Sequence, residues 1–336
     1  MFSYFDEEIT KGASEYVKRQ TIKNMLMMST GFPQDKYNWF LEHHDDRLRL
    51  YFESSSKGKL FNEPGSLFDY DSFGSFVLCG VVEKVSGKTF DEFMHEKLYS
   101  KIGVSEDTYT LKCPGGTSWG DSAVMCRAID LAKVALFTMK QGNWQGEQIL
   151  DAEYIKTACS PLAFNSAFFE VHPDAHGYGY QIWRTRDNGF FFNGMGCQLA
   201  ICVPDKDMVF VINADTQGIQ PAMGKIMDAF FEMVANRTDG AVKALPENTA
   251  AADALDAYSK SLKLYSLKGQ SDRSLIEKIN GKQFKLAENP MGITDIRFTF
   301  SGDEGVMEYT NAQGEKKAYL RHRQKRLRSV PGRGVF

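Results

Sequence analysis

Residues 178–213 decide the fold, and they read YGYQIWRTRDNGFFFNGMGCQLAICVPDKDMVFVIN. This stretch alternates short segments of β-branched and aromatic residues with polar turns that contain Gly, Asn, Asp or Pro. The predicted strands cover 178–184, 190–192, 198–203 and 208–213. Because each turn is only a few residues long, consecutive strands are expected to pair antiparallel, as a meander.

An apolar stripe follows the predicted meander at residues 221–234. Met223, Met227, Phe230 and Phe231 recur at the spacing of one helical face, which predicts a helix packed on the sheet. Further helices are predicted upstream at 21–29, 37–53, 76–85, 90–98 and 129–139. Helices, a meander and a covering helix together predict an α+β fold, in which helices flank an antiparallel sheet.

The composition limits the classes of protein that this chain can belong to. Its 336 residues are enough for about two domains of ~100–200 residues each. Hydrophobic residues at 43% and charged residues at 25% are typical of a globular protein and exclude a disordered or fibrous chain. The formal charge of −3 gives no positive field, so no nucleic-acid partner is expected.

The sequence predicts a cytoplasmic protein without a membrane segment. No stretch approaches the ~18 consecutive apolar residues of a membrane-spanning helix. The first residues carry acids where a signal peptide has basic residues followed by an apolar core. Six cysteines occur without a C-x-x-C pair, and in a chain of this size they are expected to be buried small hydrophobic residues. We predict neither a metal nor another cofactor.

Composition also divides the chain into four parts. Residues 1–235 contain the helices and the meander, 236–251 form a polar linker, and 252–320 form a small β-rich C-terminal domain with three short strands. The tail 321–336 holds six of the 40 basic residues and no acid. Such a tail is typical of binding to nucleic acid or an anionic surface, but its abrupt onset favours a disordered end or a shifted reading frame.

Two segments can carry hydrolytic chemistry, which needs a nucleophile, a base and an oxyanion hole. Tyr70 lies at a predicted loop-to-helix junction, where a side chain can face a cleft, and a half-buried core tyrosine is the alternative. Residues 192–198 (FNGMGCQ) form a glycine-bearing turn that can present backbone N–H groups to a developing oxyanion. An ordinary hairpin turn has the same pattern.

Six segments stand in an order and spacing that resemble a known family. They are TIKNMLMMSTGF at 21–32, EPGSLFDYDS at 63–72, VVEKVSGKTFDEF at 81–93, DLAK at 130–133, GYGYQIW at 177–183 and the turn at 194–198. Together they resemble the β-lactamase-related serine hydrolases, which include class C β-lactamases, D-Ala-D-Ala carboxypeptidases and esterase relatives. The resemblance covers most of residues 1–235 and implies a β-lactamase/transpeptidase-like fold. The C-terminal β segment resembles the small domain appended in some bacterial members.

The resemblance implies acyl transfer to a serine in a Ser-x-x-Lys pair, assisted by the tyrosine of a Tyr-x-Asn motif. Tyr70 matches this tyrosine in the base position, and Ser72 stands in place of the asparagine. Asn193 and Gly194 follow a position where relatives carry Lys or His and this chain carries Phe, and Met195 matches the residue that offers the oxyanion-hole amide. Because that cation is absent, the resemblance favours a small ester, amide or peptide substrate over a carboxylate-bearing β-lactam.

The serine segment of the family is missing from its expected place, because nothing upstream of Thr21 resembles a Ser-x-x-Lys helix. Ser54 and Lys57 are the clearest pair with that spacing, in a polar loop shortly before Tyr70. A tyrosine without a neighbouring cation has a pKa near ~10, so only about one in a thousand is ionised at pH 7. We therefore expect a chain that is incomplete at its N-terminus and inactive as a hydrolase.

Three hypotheses follow from these residues. The first is a serine hydrolase whose nucleophile lies upstream of Met1, the second is a non-catalytic relative that keeps the cleft as a binding or regulatory module, and the third is the product of a truncated gene. In the family the missing segment would cover Val77, Val81 and Phe93. Its loss predicts exposed apolar surface and self-association.

Overall fold

The structure, a computed structural model, divides into two compact units. The first unit is Met1–Leu245, and the second begins at Pro246, so the division falls within the predicted linker 236–251. The described residues are 1–31, 46–54, 62–113, 115–165, 176–217, 219, 221–238, 246–262, 273–289, 291–302, 304–311 and 314–321.

Helices precede and follow the main sheet of the first unit. In chain order they are α1 (Glu7–Thr10), α2 (Glu15–Arg19), α3 (Ile22–Leu26), α4 (Arg47–Ser54), α5 (Ser72–Ser86), α6 (Phe90–Met94), α7 (Ser100–Ile102), α8 (Ala128–Met139), α9 (Ala152–Ala158) and α10 (Ala222–Met233). A π-helical turn at His95–Tyr99 joins α6 to α7. Short 3-10 turns lie at Phe2–Tyr4, Pro204–Lys206 and Ala235–Arg237.

Local signals fix several of these helix ends. Thr21 and Asn24 form a capping box at the start of α3, in which each side chain bonds the backbone of the other residue. Gly87 ends α5 with a left-handed φ of 68°, a conformation that glycine adopts without strain. Of the predicted helix 37–53, residues 37–45 lie outside the described residues, and α4 covers its last part.

The strands of the first unit form one four-stranded sheet and two small hairpins. They are β1 (Tyr109–Thr110), β2 (Val124–Met125), β3 (Asn143–Trp144), β4 (Glu147–Gln148), β5 (Trp183–Arg184), β6 (Phe190–Gly194), β7 (Gln198–Val203) and β8 (Met208–Ile212). The larger sheet has the order β5-β6-β7-β8 with antiparallel neighbours, which confirms the predicted meander. Its first strand is shorter than the predicted 178–184, because Gln181 has a φ of 60° and interrupts the extended run.

Helices cover both faces of this sheet. On one face, Phe191 and Ile201 pack in a buried cluster with Met227 and Phe231 of α10, as the apolar stripe predicts. On the other face, the alternate strand residues, such as Cys202, pack with residues of α8. The first unit therefore has a helix–sheet–helix arrangement with an additional helical region, and the α+β prediction is confirmed.

The helical region is held together by a separate apolar cluster. Its buried members come from the N-terminal turns and helices, from α4 and from α5, and they include Phe5, Val17, Met25, Tyr51, Phe52, Phe76, Val77 and Val81. The expectation that Val77 and Val81 lose their cover is wrong, because these side chains are 0% and 7% exposed. Residues that precede α5 in this chain cover them. Phe93 is only partly buried and lines an apolar groove of about 530 Å³.

The second unit contains two helices and one sheet among its described residues. They are α11 (Thr249–Ser261), α12 (Ile276–Ile279), β9 (Gln283–Lys285), β10 (Asp295–Ser301), β11 (Glu304–Asn311) and β12 (Gly314–Arg321), with the antiparallel order β12-β11-β10-β9. The sequence predicts three of these strands, and β12 is missed because its lysines hide the alternation of apolar residues.

Two predicted boundaries differ from the structure of the second unit. α11 begins at Thr249, inside the predicted linker, because the Asn248 side chain accepts a hydrogen bond from the Ala251 N–H and caps the helix. Arg321, the first residue of the predicted basic tail, is the last residue of β12, and residues 322–336 lie outside the described residues. Within the described ranges, every helix is too short or too polar to cross a lipid bilayer.

Candidate functional site

One cavity of about 1410 Å³ in the first unit collects the candidate residues. Tyr70, Ser72, Asn193, Gly194 and Met195 all line it, although more than 120 positions separate Tyr70 from Asn193 in the sequence. The fold thus places the start of α5 and the turn between β6 and β7 around the same cavity. Pockets of small-molecule ligands are usually ~300–1,000 Å³, so this cavity has room for a ligand of that class.

Tyr70 and Ser72 are held by the buried residue between them. The Thr30 hydroxyl donates a hydrogen bond of 2.6 Å to Asp71 Oδ2, and the Asp71 N–H lies 3.2 Å from Met28 Sδ. Asp71 is 2% exposed, and Ser72 is the first residue of α5. The bond from Thr30 therefore ties the STG motif at 29–31 to the start of this helix.

The Tyr70 ring belongs to an aromatic group beside the sheet. It stacks on Trp183 with a centroid distance of 5.5 Å and an interplanar angle of 24°, and it meets Tyr178 edge-on at 6.4 Å. Trp183 in turn stacks on Phe191 at 6.1 Å. Burial, with a smaller contribution from Tyr70, raises the pKa of Tyr178 well above its ordinary value. Tyr70 is thus a half-buried tyrosine that also lines the cavity.

The turn between β6 and β7 depends on two glycines. The Cys197 N–H donates to the Gly194 carbonyl at 3.1 Å, and Gly196 has a φ of 88°, which fits the third position of a type II turn. A Cβ added at Gly194 would lie 2.8 Å from Gln198 Oε1. Met195 at the tip is 64% exposed. The turn therefore presents its backbone and the Met195 side chain at the cavity surface.

The segment after β8 fixes this turn from the side. The Thr216 N–H donates to the Gly196 carbonyl at 3.2 Å, and the Thr216 hydroxyl donates to Cys197 Sγ at 3.0 Å. Asp215 precedes Thr216 and lines the cavity. Its Oδ1 lies 3.5 Å from the position that a Cβ on Gly196 would take. Asp215 is thus a neighbour of the predicted oxyanion turn.

A buried ion pair lies at another part of the cavity, where Asp121 lines it and its partner Arg47 lies behind the lining. Arg47 Nη2 lies 3.2 Å from Asp121 Oδ2, and the two side chains are 5% and 4% exposed. The Arg47 guanidinium also lies 4.2 Å from the ring centroid of Phe76 and 5.4 Å from that of Trp119. Burial raises the pKa of Asp121 to about 6, while Arg47 acts in the opposite direction.

Three buried polar atoms of this lining have no hydrogen-bond partner among the described residues. They are Asp121 Oδ1, Thr108 Oγ1 and Trp119 Nε1. Buried polar groups in native proteins are almost always paired with protein or ordered water. These atoms are therefore expected to be satisfied by water or by the polar groups of a ligand.

Asp130 lines the same cavity, and both of its carboxylate oxygens accept hydrogen bonds. Its side chain is 1% exposed, and it accepts hydrogen bonds from Arg127 Nε at 2.7 Å and from the Ser105 N–H at 3.1 Å. The hydrogen bond from Arg127 is the main cause of a lowered pKa at Asp130. This residue of the DLAK motif ties the start of α8 to the loop between α7 and β1, which contains Ser105.

The Ser54–Lys57 pair stays a prediction. Ser54 is the last residue of α4, and its side chain and Lys57 lie outside the described part of the chain. None of the described residues that line the cavity is Lys, Arg or His. Within the described ranges, no group of three His, Cys, Asp or Glu side chains is arranged to hold a metal ion.

Sequence reasoning missed Thr108, Trp119, Asp121 and Asp215 as lining residues. A weak signal existed for two of them, because Trp119 and Asp121 lie shortly before the DLAK motif. Asp215 follows the last strand of the meander, at the end of the sheet where the turn of 194–198 lies. The Arg47–Asp121 pair has no local signal, since the two residues are 74 positions apart.

Comparisons with known proteins agree with this fold. Residues 7–230 match the family model described as β-lactamase. A curated 6-aminohexanoate-dimer hydrolase from Paenarthrobacter ureafaciens is 26% identical over 137 residues, which is 38% of this chain and 34% of that protein. The matched region thus spans about a third of that relative's length.

Two solved structures are similar in fold. A Bacillus anthracis protein assigned as a 6-aminohexanoate-dimer hydrolase superposes with a TM-score of 0.54 at 17% identity, over 70% of this chain and 67% of that one. An octameric penicillin-binding protein homologue from Pyrococcus abyssi gives 0.51 at 16% identity, over 93% and 74%. At these identities the likeness shows the fold alone. The family match confirms the resemblance drawn from the motifs.

Proposed function

Because this chain belongs to the β-lactamase family of serine hydrolases, we propose that its cavity binds a small ester, amide or peptide and that these 336 residues form no acyl-enzyme with it. One observation carries the proposal. Tyr70, Ser72 and the turn of 193–195 line one cavity, while its described lining contains no Lys, Arg or His. This arrangement supports binding of a substrate-like ligand, and the described lining contains no cationic partner for a serine nucleophile.

The proposed roles follow from position. The carbonyl of the ligand lies against the turn at Asn193, Gly194 and Met195, where backbone N–H groups can donate to its oxygen. The hydroxyls of Tyr70 and Ser72 bond the ligand from the opposite side, at the start of α5. A neutral tyrosine can bond a carbonyl but is a poor base at pH 7, so binding without acylation is expected.

The proposed ligand class includes esters, amides and peptides. The relative from Paenarthrobacter ureafaciens is named a hydrolase of the 6-aminohexanoate dimer, so linear amides belong among the compounds to be tested. Octamer formation is said only of the Pyrococcus abyssi protein. For this chain, self-association and cytoplasmic location stay predictions.

The acylation half of the proposal is tested with covalent probes. The 336-residue protein is incubated with a fluorophosphonate and with a fluorescent penicillin, and adducts are read by intact mass spectrometry. We expect no stoichiometric adduct. A stoichiometric adduct that peptide mapping places on Ser54, and that disappears in Ser54→Ala, would overturn this half and assign a nucleophile.

The binding half is tested separately with a neutral amide, N-pentylacetamide, and a neutral ester, ethyl butyrate. Trp119 and Trp183 line the cavity, so ligand binding is expected to change tryptophan fluorescence and to raise the melting temperature with ligand concentration. Tyr70→Phe is expected to weaken binding about two- to tenfold through one lost hydrogen bond. If neither compound binds at millimolar concentration, the proposed function is wrong.

A further inference from the structure

We propose that this cavity selects ligands that carry a cationic amine, and that Asp215 is the residue that determines this specificity. The inference rests on the proposed function, because it names the ligand class of the same cavity.

All ionised side chains in the described lining are acids. They are Asp71, Asp121, Asp130 and Asp215. Arg47 and Arg127 pair with Asp121 and Asp130, so these two charges are balanced within the protein. The two other acids of the lining are Asp71, at the start of α5, and Asp215, whose Oδ1 lies 3.5 Å from the Cβ position at Gly196. The described part of the lining beside this turn is therefore negatively charged, which attracts a cation and repels a carboxylate.

Asp215 is the accessible carboxylate of the two. Asp71 is 2% exposed and accepts a hydrogen bond from Thr30, whereas Asp215 is exposed and has no ion-pair partner among the described residues. The two hydrogen bonds of Thr216 to the turn hold the Asp215 backbone in place. A ligand whose carbonyl lies at the turn can therefore reach the Asp215 carboxylate with an amine on the same chain.

An aromatic surface supports the same ligand class. Tyr70, Trp183 and Phe192 line the cavity, and the Tyr70 ring stacks on that of Trp183. Trp183 is 3% exposed and stacks on both Tyr70 and Phe191, so the rings that a ligand can contact are the partly exposed Tyr70 and Phe192. The electron-rich faces of such rings attract ammonium groups. Aromatic rings and a carboxylate in one cavity favour a cationic amine, and the rings offer nothing comparable to a ligand carboxylate.

Buried oxygens elsewhere in the lining independently indicate a ligand that donates hydrogen bonds. Thr108 is 4% exposed, as is the side chain of Asp121, and Thr108 Oγ1 and Asp121 Oδ1 have no partner among the described residues. The carboxylate oxygen can only accept a hydrogen bond, and the hydroxyl can accept one. An amine or amide N–H, directly or through water that it orders, supplies the missing donor.

The test compares three probes that differ in one terminal group. N-(4-aminobutyl)acetamide ends in an ammonium group, N-pentylacetamide in a methyl group and 5-acetamidopentanoate in a carboxylate. Dissociation constants are measured on the full 336-residue protein by calorimetry at low and high salt. We expect the ammonium probe to bind about three- to tenfold more tightly than the methyl probe, with the carboxylate probe weakest and the difference reduced by salt.

Variants separate specificity from structure. Asp215→Asn is expected to bring the ammonium and methyl probes to within about twofold of each other, because it removes the charge that distinguishes them. Asp215→Lys is expected to make the carboxylate probe the tightest. Glu106→Gln removes an exposed acid that does not line the cavity, and it should leave the preference as in the wild type.

Two outcomes overturn the inference. One is equal affinity of the wild type for the ammonium and methyl probes, and the other is a preference for the ammonium probe that persists in Asp215→Asn. In both cases binding of the methyl probe leaves the proposed function standing. If no probe of any charge binds, the proposed function and this inference are both wrong.

Discussion

Two buried aspartates in the lining of one cavity respond to burial in opposite ways. Asp121 lies in the segment between β1 and β2, and Asp130 lies nine positions later in the first turn of α8. Their side chains are 4% and 1% exposed, and each is paired with an arginine. The pKa of Asp121 is nevertheless raised to about 6, whereas that of Asp130 is lowered.

Burial is the largest cause of the raised pKa at Asp121, whereas at Asp130 the hydrogen bond from Arg127 outweighs burial. Asp130 accepts two bonds from Arg127 and one from the Ser105 N–H, and it stands near the positive end of α8. Asp121 receives one bond from the Arg47 side chain, and its Oδ1 has no partner among the described residues. Burial favours the neutral carboxyl group unless donors compensate it. Asp130 therefore links Arg127 and Ser105 as a structural clamp, whereas Asp121 Oδ1 is left to accept a hydrogen bond from water or a ligand in the cavity.

The largest effect is expected when the arginine partner of Asp121 is removed. Arg47→Met is expected to lower the free energy of unfolding of the first unit by about 3–5 kcal/mol, because it leaves a buried carboxylate unpaired. Urea unfolding followed by tryptophan fluorescence measures it, since all four tryptophans precede residue 246.

A second arginine of the same helix is the matched control. Arg49 pairs with Glu53 on the surface and is 48% exposed, so Arg49→Met should cost less than about 1 kcal/mol. The double variant Arg47→Met/Asp121→Asn is expected to recover part of the loss, because no buried charge remains. Equal stability of Arg47→Met and Arg49→Met would show that the ion pair is not the cause.

The next test uses pH to separate the two aspartates. The folded-state pKa of Asp121, about 6, exceeds its ordinary value of 3.8, so the folded protein binds this proton more tightly than the unfolded chain. The destabilisation from Asp121 is complete above pH 6 and is relieved as the pH falls toward 4. The pKa of Asp130 is lowered, so its ionised form stabilises the folded protein throughout the range from pH 7 to pH 4. That stabilisation is lost only as the pH falls below 3.8, the ordinary pKa of an aspartate.

Between pH 7 and 4.5 the wild type should therefore gain about 2 kcal/mol of stability relative to Asp121→Asn. The measurement is a pair of urea titrations, one for each protein, at several pH values in that window. A difference in stability that does not change with pH would mean that Asp121 is not protonated more readily in the folded protein.

The sequence predicts features that depend on neighbouring residues. The meander follows from the alternation and turn residues of 178–213, and the stripe of α10 follows from its helical period. Tyr70 and the turn of 193–195 are found because motif residues and glycines mark them locally. These are the parts of the fold and of the candidate site that sequence reasoning recovers.

Features that depend on residues far apart in the chain are not predicted from the sequence. Nothing within a local window couples Arg47 to Asp121, and nothing near α5 indicates that N-terminal side chains cover Val77 and Val81. Asp215 is an ordinary surface aspartate until the sheet places it beside Gly196. In each case a contact made only in the folded chain gives the residue its role.

The smallest expected change in the free energy of unfolding comes from removing the charge of Asp130. Asp130→Asn should lower the free energy of unfolding by about 1.5 kcal/mol, because an amide bonds the Ser105 N–H less strongly than a carboxylate and Arg127, which is 62% exposed, returns to solvent. Asp107→Asn is the control, because Asp107 is an exposed aspartate in the loop that contains Ser105. This substitution should lower the free energy of unfolding by less than about 0.5 kcal/mol. Both are measured by urea unfolding at pH 7. If Asp130→Asn stabilises the protein, Asp130 is penalised by burial as Asp121 is, and the contrast between the two aspartates is wrong.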